Sequence, residues 1–262
     1  MNDFVVAAAS HSPAILDANL RLSPMIASGA TRLHVEASAP SASIAYNRAL
    51  DATTEEIVIF AHHDVYLPLG WDDILRARIA EVGAMDPNWA LLGAFGVALD
   101  VRHFGPVWSS SLGMVVGRVP LTPEPVQSYD EMVIIMRRSA GLRFDETLPD
   151  WHMYGTDIVQ TARAAGRGAY VVALPCIHND RYHRALGNDY FQCYRFMQRK
   201  WAARLPMYTP IVKISRSGLH LLRNRWRDWS SHDYRQAMSV ETDTDPREYA
   251  RRCGWSDLRS NV

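Results

Sequence analysis

Two imidazoles and a carboxylate stand side by side in "IVIFAHHDVYLPLGW", where five apolar residues lead into His62, His63 and Asp64. In extended backbone His62 and Asp64 point to one side and His63 to the other, so only the first and third can share a ligand. An imidazole and a carboxylate converging on one point suit a divalent cation. Oxygen ligands favour magnesium and manganese, and a nitrogen ligand moves the preference toward manganese or zinc. The blander alternative makes His63 a core or supporting histidine and His62 a surface one. A further histidine, His178, closes the run "AYVVALPCIH" and would add a second protein ligand if its strand ends at the same sheet edge as Asp64.

The segment "FDETLPDWHMYGTD" gathers Asp145, Glu146, Asp150, His152 and Asp157. Asp157 falls in a first helical turn, where the backbone dipole favours a carboxylate whether or not it reacts. The functional reading makes it a general base for a reacting hydroxyl. His152 binds substrate or holds a loop, and Trp71, at the end of the opening stretch, is a second candidate for acceptor or substrate contact. No GxGxxG, P-loop, HExxH or GxSxG occurs, so nicotinamide, ATPase, zincin and hydrolase-elbow chemistries lack their residues.

These groups need elements to hold them. "DFVVAAAS" reads as a buried strand ending at Ser10 and His11, "SASIAYNRALDAT" as a serine-initiated helix, and "EEIVIFAHHD" as a strand buried on both faces. "WDDILRARIAEVG" follows as a helix stopped by Gly83, and "NWALLGAFGVAL" as another buried strand. "YDEMVIIMRR" reads as a strand, "TDIVQTARAAG" as a helix capped by Thr156 and stopped by Gly166, and "AYVVALPCIH" as a last strand. The alternation predicts an α/β fold, a mostly parallel open sheet with helices on both faces. Ligands in such sheets sit outside the carboxyl ends of the strands, where His62 to Asp64 fall.

The chain has 262 residues, a formal net charge of zero and 48% hydrophobic residues, which gives no argument for a nucleic-acid partner. Cys176, Cys193 and Cys253 have no CxxC spacing and suggest neither a disulfide framework nor a zinc ribbon; a reducing cytoplasm is expected. No basic leader precedes the first apolar run. From about residue 182 the character changes, because "YFQCYRFMQRKWAARL" and "GLHLLRNRWRDW" mix aromatic and basic residues at helical spacing. We expect a domain over 1–182 and a helical, basic, aromatic extension over 183–262. The extension reads as amphipathic helices packed on the domain or on another subunit, with peripheral membrane contact or an anionic acceptor as the alternative.

Taken in order, "SASIAYNRALDATTEEIVIFAHHDVYLPLGW", "RFDETLPDWHMYGTDIVQTARAAG" and "IHND" resemble a family 2 type glycosyltransferase with the GT-A fold, over residues 3–180. More narrowly they are similar to the branch associated with streptomycin biosynthesis proteins, with an "H-x-D-V" variant of the DxD motif. The resemblance implies an inverting transfer of sugar from a UDP- or GDP-sugar to a glycan, lipid-linked or small-molecule acceptor, with Mn2+ or Mg2+. It makes Asp64 the last aspartate of DxD and a cation ligand, with His62 in the place of the first. Asp157 becomes the catalytic base, with Thr156 replacing the preceding glutamate, and His178 completes the metal site. Ser10, His11, Asn47, His62 and His63 fall on the donor side. The alternatives are a non-catalytic sugar-nucleotide or glycan binder, and a metal-dependent nucleotidyltransferase.

Overall fold

The structure, a computed structural model, describes residues 4–181, 186–240 and 243–261. The expected boundary at 182/183 lies outside the described residues. The first half runs β1 (Phe4–Ala9), α1 (Pro13–Ala18), α2 (Pro24–Ala27), β2 (Arg32–Glu36), α3 (Ala42–Ala52) and β3 (Ile57–Ala61). It continues with β4 (Val65–Tyr66), α4 (Trp71–Met85), β5 (Trp89–Gly93), β6 (Gly96–Ala98), β7 (His103–Phe104), β8 (Val107–Ser109) and β9 (Met114–Val116). Then come β10 (Glu124–Tyr129), β11 (Val133–Arg137), α5 (Tyr154–Ala164), β12 (Gly168–Val171) and β13 (Cys176–His178).

Nine strands form one sheet in the order β2-β1-β3-β11-β5-β12-β10-β6-β7. β1 lies between β2 and β3, parallel to both. β11, β10 and β7 run against the other strands of this sheet. The two-residue period of the strands divides the core into two layers. Val5, Ala7, Val58 and Phe60 face one cluster, with residues of α3 and α5; Phe4, Val6, Ala8, Ile57 and Ile59 face the other, with residues of α1 and α4. The predicted α/β sheet with helices on both faces is therefore what the chain forms.

Several boundaries fall elsewhere than the sequence suggests. "NWALLGAFGVAL" makes two strands, β5 and β6, and the Tyr129 ring lies so close to Gly93 that a side chain there would collide with it. "AYVVALPCIH" also divides, because Pro175 has no amide to continue a ladder. β13 leaves the main sheet and joins a second one, β4-β13-β8-β9. α4 runs past Gly83 to Met85. α5 starts at Tyr154, with Thr156 inside it, because Met153 caps the helix in the left-handed conformation (φ 65°).

Beyond residue 186 the chain forms α6 (Asn188–Lys200), the ribbon β14 (Met207–Tyr208) and β15 (Lys213–Ile214), α7 (Leu219–Ser230), α8 (His232–Met238) and α9 (Pro246–Arg252). α6 buries Tyr190, Cys193, Tyr194 and Met197 against the sheet's core. α9 returns to the body, where Tyr249 stacks on Trp108 with ring centroids 5.0 Å apart. α7 behaves differently: its buried residues are Leu221, Asn224 and Asp228.

Candidate functional site

β3 ends at Ala61, and His62 to Asp64 form a turn closed by the Val65 amide donating to His62 O at 3.2 Å. The next residues form β4, which pairs with β13 so that His178 stands opposite Val65. The Asn179 amide donates to Asp64 O at 2.9 Å and fixes the two segments together. Three ligand atoms result, one each from His62, Asp64 and His178, all within 4.8 Å of one another. His178 Nε2 lies 3.4 Å and His62 Nδ1 4.0 Å from Asp64 Oδ1. That oxygen is buried, and His178 and His62 are its neighbours, the His178 contact being an ion pair longer than an ordinary hydrogen bond. Two imidazole nitrogens and a carboxylate oxygen this close together form a donor set that a divalent cation can use.

The surroundings set the protonation of the ligands. The Tyr154 hydroxyl donates to Glu131 O at 3.2 Å and lies 2.9 Å from His62 Nε2. With that proton committed to Glu131 O, the tyrosine oxygen accepts from Nε2–H, which leaves the lone pair of His62 on Nδ1, toward Asp64. Burial lowers the His62 pKa to about 4, so the ring is neutral. Burial also works against a charged His178, but the Asp180 and Asp64 carboxylates outweigh it and hold that ring up at about 10. Burial pushes Asp64 up, and the three histidines, His178 first, more than reverse this, leaving it well below the usual carboxylate range. Without a cation the cluster is therefore a carboxylate–imidazolium pair, and metal binding must displace the His178 proton.

Asp64 also lines a cavity of about 630 Å³, together with His11, His63, Asn179 and Thr244. Its walls come from α1, the end of β3, residues 179–181 and residues 243–245, and its volume is in the range of small-molecule sites. Ser10 reaches the same wall, its Oγ 2.9 Å from His63 Nδ1, and the exposed His11 ring stands 5.0 Å from that of His63. Asn179 ties the walls together: its Nδ2 donates to Asn19 Oδ1 at 3.0 Å and Thr244 O at 3.5 Å, and its Oδ1 accepts from Ser110 Oγ at 2.8 Å.

Other predicted residues stand in different settings. Asp157 is 2% exposed, with Lys200 Nζ donating to its Oδ2 at 2.8 Å and Trp201 Nε1 to its Oδ1 at 2.7 Å. Lys200 also pairs with Asp145 at 2.7 Å. Burial pushes the Asp157 carboxyl up, against the pull of Lys200. Asn47 pins the "FDE" segment: its Nδ2 donates to Phe144 O at 2.9 Å and Glu146 Oε1 at 2.8 Å, while its Oδ1 accepts from the Phe144 amide. Trp71 is completely buried at the start of α4, and its indole N–H has no hydrogen bond among the described residues. His152 is part-exposed beside Tyr190, its Nε2 3.3 Å from Asp189 Oδ2.

The sequence reading passed over Tyr154, Asn179, Asp180 and the pair Asp130–Glu131. Asn179 and Asp180 follow His178 directly, a signal that was present. Asp180 is anchored by Ser109 Oγ at 3.0 Å and the Ser111 amide and hydroxyl. Burial and the neighbouring Asp130 raise Glu131 to about 8, and the Gly155 amide donates to its Oε1 at 3.3 Å. Only the folded turn between β10 and β11 places these two acids near α5.

No family model matches the chain. Among curated proteins it is similar to "ATP synthase subunits region ORF 6" of Fuscovulum blasticum, 30% identical over 144 residues, which are 51% of this chain and 54% of that protein. The chain thus spans about half the length of that relative. Among solved structures it resembles a mannosyltransferase from Pyrobaculum calidifontis in complex with GDP-Man and Mn2+, at 12% identity and a TM-score of 0.45, covering 96% of this chain and 76% of that one. It also resembles the inositol-1-phosphate CTP transferase from T. maritima, at 11% identity and a TM-score of 0.40, covering 76% of this chain and 97% of that one.

Proposed function

We propose that this chain is a GT-A-like glycosyltransferase that moves a sugar from a UDP- or GDP-sugar to an acceptor hydroxyl with inversion, using Mn2+ or Mg2+ held by Asp64, His178 and His62. One observation carries this reading: a carboxylate oxygen buried between two histidines, 3.4 Å from His178 Nε2 and 4.0 Å from His62 Nδ1, on a residue that also lines a cavity of about 630 Å³. The motifs that resemble family 2 glycosyltransferases support it independently, because their order along the chain brings Asp64 and His178 to one sheet edge.

A divalent cation there would offset negative charge developing on the leaving diphosphate. The acceptor oxygen attacks the anomeric carbon, the bond from that carbon to the phosphate oxygen breaks, and a nucleoside diphosphate leaves. Ser10, His11 and His63 line the donor side. Asp157 takes the acceptor's proton on Oδ2 in this reading only when Lys200 turns from that oxygen to pair with Asp145 alone, while Trp201 still holds Oδ1. The closed Asp157–Lys200 contact favours one second reading, nucleotidyl transfer, in which a phosphate nucleophile needs no base.

Calorimetric titration of UDP and GDP, with and without Mn2+, tests the cation site. Binding should depend on the metal and disappear in Asp64→Ala; metal-independent binding would remove the site from the proposal. Product analysis separates the two readings, since sugar transfer releases a nucleoside diphosphate and nucleotidyl transfer releases pyrophosphate. Asp157→Asn should stop sugar transfer and leave donor affinity nearly unchanged.

A further inference from the structure

α7 is built the wrong way round for a helix whose only neighbour is its own domain. Leu219, Leu222, Trp226 and Trp229 recur at spacings that place them within an arc of about 80° on the helix. All four are on the outside, and Trp226 and Trp229 are 67% and 70% exposed. The opposite face is the buried one, and much of it is polar: Asn224 Nδ2 donates to Ile211 O at 3.1 Å, and Asp228 pairs with Arg235 of α8 at 3.0 Å. α6 has similar composition and does the reverse, burying its own apolar stripe. The outward stripe of α7 is thus not a by-product of an aromatic-rich sequence. Tyr234 and Met238 of α8 extend the exposed apolar surface.

The charges around the stripe indicate what covers it. By helical position Arg223 and Arg227 flank it on one side and Arg225 on the other, and all three are exposed. Arg225 also lies over the Phe191 ring, 5.0 Å from its centroid. The helix has one acid, Asp228, which is turned inward. α8 contributes the exposed Asp233. A second copy of this chain seated face to face on the stripe would set arginine against arginine, which a two-fold contact cannot avoid. An anionic lipid surface meets both features at once: indole rings are favoured at the headgroup level, and arginines beside them pair with acidic headgroups. No helix among the described residues is long and apolar enough to cross a membrane, so α7 would lie along the surface.

We propose that α7, with α8 beside it, is a docking face for an anionic lipid bilayer. The four apolar residues enter the headgroup region and Arg223, Arg225 and Arg227 hold acidic headgroups around them. The idea is independent of the donor chemistry above, since it uses none of those residues.

The test is co-sedimentation of the full chain with two vesicle preparations, phosphatidylcholine alone and phosphatidylcholine mixed with phosphatidylglycerol. The chain should pellet with the mixed vesicles, remain in solution with the neutral ones, and be released by added salt. Trp226→Ser with Trp229→Ser should abolish pelleting. Each arginine changed to glutamine should weaken it about fivefold. These side chains are exposed, so circular dichroism and urea midpoint should stay those of the unaltered protein. Absence of binding to either vesicle, or binding that survives the double tryptophan variant, would overturn the proposal. So would a light-scattering mass of two chains that the same variant returns to one, because the face would then be covered by a second copy.

Discussion

Asp64 and Asp157 are both carboxylates set among nitrogen donors, yet their surroundings differ. Asp157 has a donor on each oxygen, Lys200 on one and Trp201 on the other, and is almost sealed from solvent. Asp64 has one oxygen buried between two imidazoles that can lose or lack a proton, and it borders open volume. The lone pairs of Asp157 are occupied in this state, whereas Asp64 has only two imidazoles beside its buried oxygen and can take a further partner from outside. The difference teaches that two acids drawn from motifs of similar look enter the fold in different hydrogen-bonding states, which residues distant in sequence decide.

Four substitutions sharpen or break this contrast. The largest effect is expected at Asp64→Ala, which should abolish metal-dependent nucleotide affinity by calorimetry while the chain still folds. Asp157→Ala should instead cost about 2 kcal/mol of stability, because it leaves the part-buried Trp201 N–H without its acceptor and Lys200 with Asp145 alone. A lowered urea midpoint would be the sign, and an unchanged midpoint would contradict the structural role. Tyr154→Phe removes the acceptor that orients His62, so metal affinity should fall about tenfold, as when a ligand's supporting hydrogen bond is lost.

The smallest effect is a pH dependence at Asp145. Burial pushes its carboxyl up, but hydrogen bonds from Lys200 and Thr147 more than offset that, so its pKa in the folded chain is depressed. Stability from a depressed carboxyl is present above the ordinary carboxylate range and is lost as the pH falls through the folded value. Asp145→Asn should therefore cost about 1 kcal/mol or less near neutrality, and the gap from the unaltered protein should close in acid.

Much of the strand and helix order was legible because apolar runs of β1, β3 and α3 carry their period openly. Placing His62 and Asp64 together, apart from His63, followed from the same alternation, and it survives although the three form a turn. The divisions at Gly93 and Pro175 were not legible, because both runs remain apolar across the break. Nor could the lock on Asp157 be read, since Lys200 and Trp201 arrive from more than forty positions downstream. α6 and α7 show the general reason: periodicity says which residues share a face and leaves open whether that face turns in or out.

The cavity also has a history in time. His11 and His63 line one wall and Thr244 another, so the residues of the first wall wait for those of the second, which are made later. The metal-type cluster itself is complete once His178 has emerged. All three of these side chains therefore exist well before residues 243–245, and the wall of the cavity can be completed only after α7 and α8 have been made.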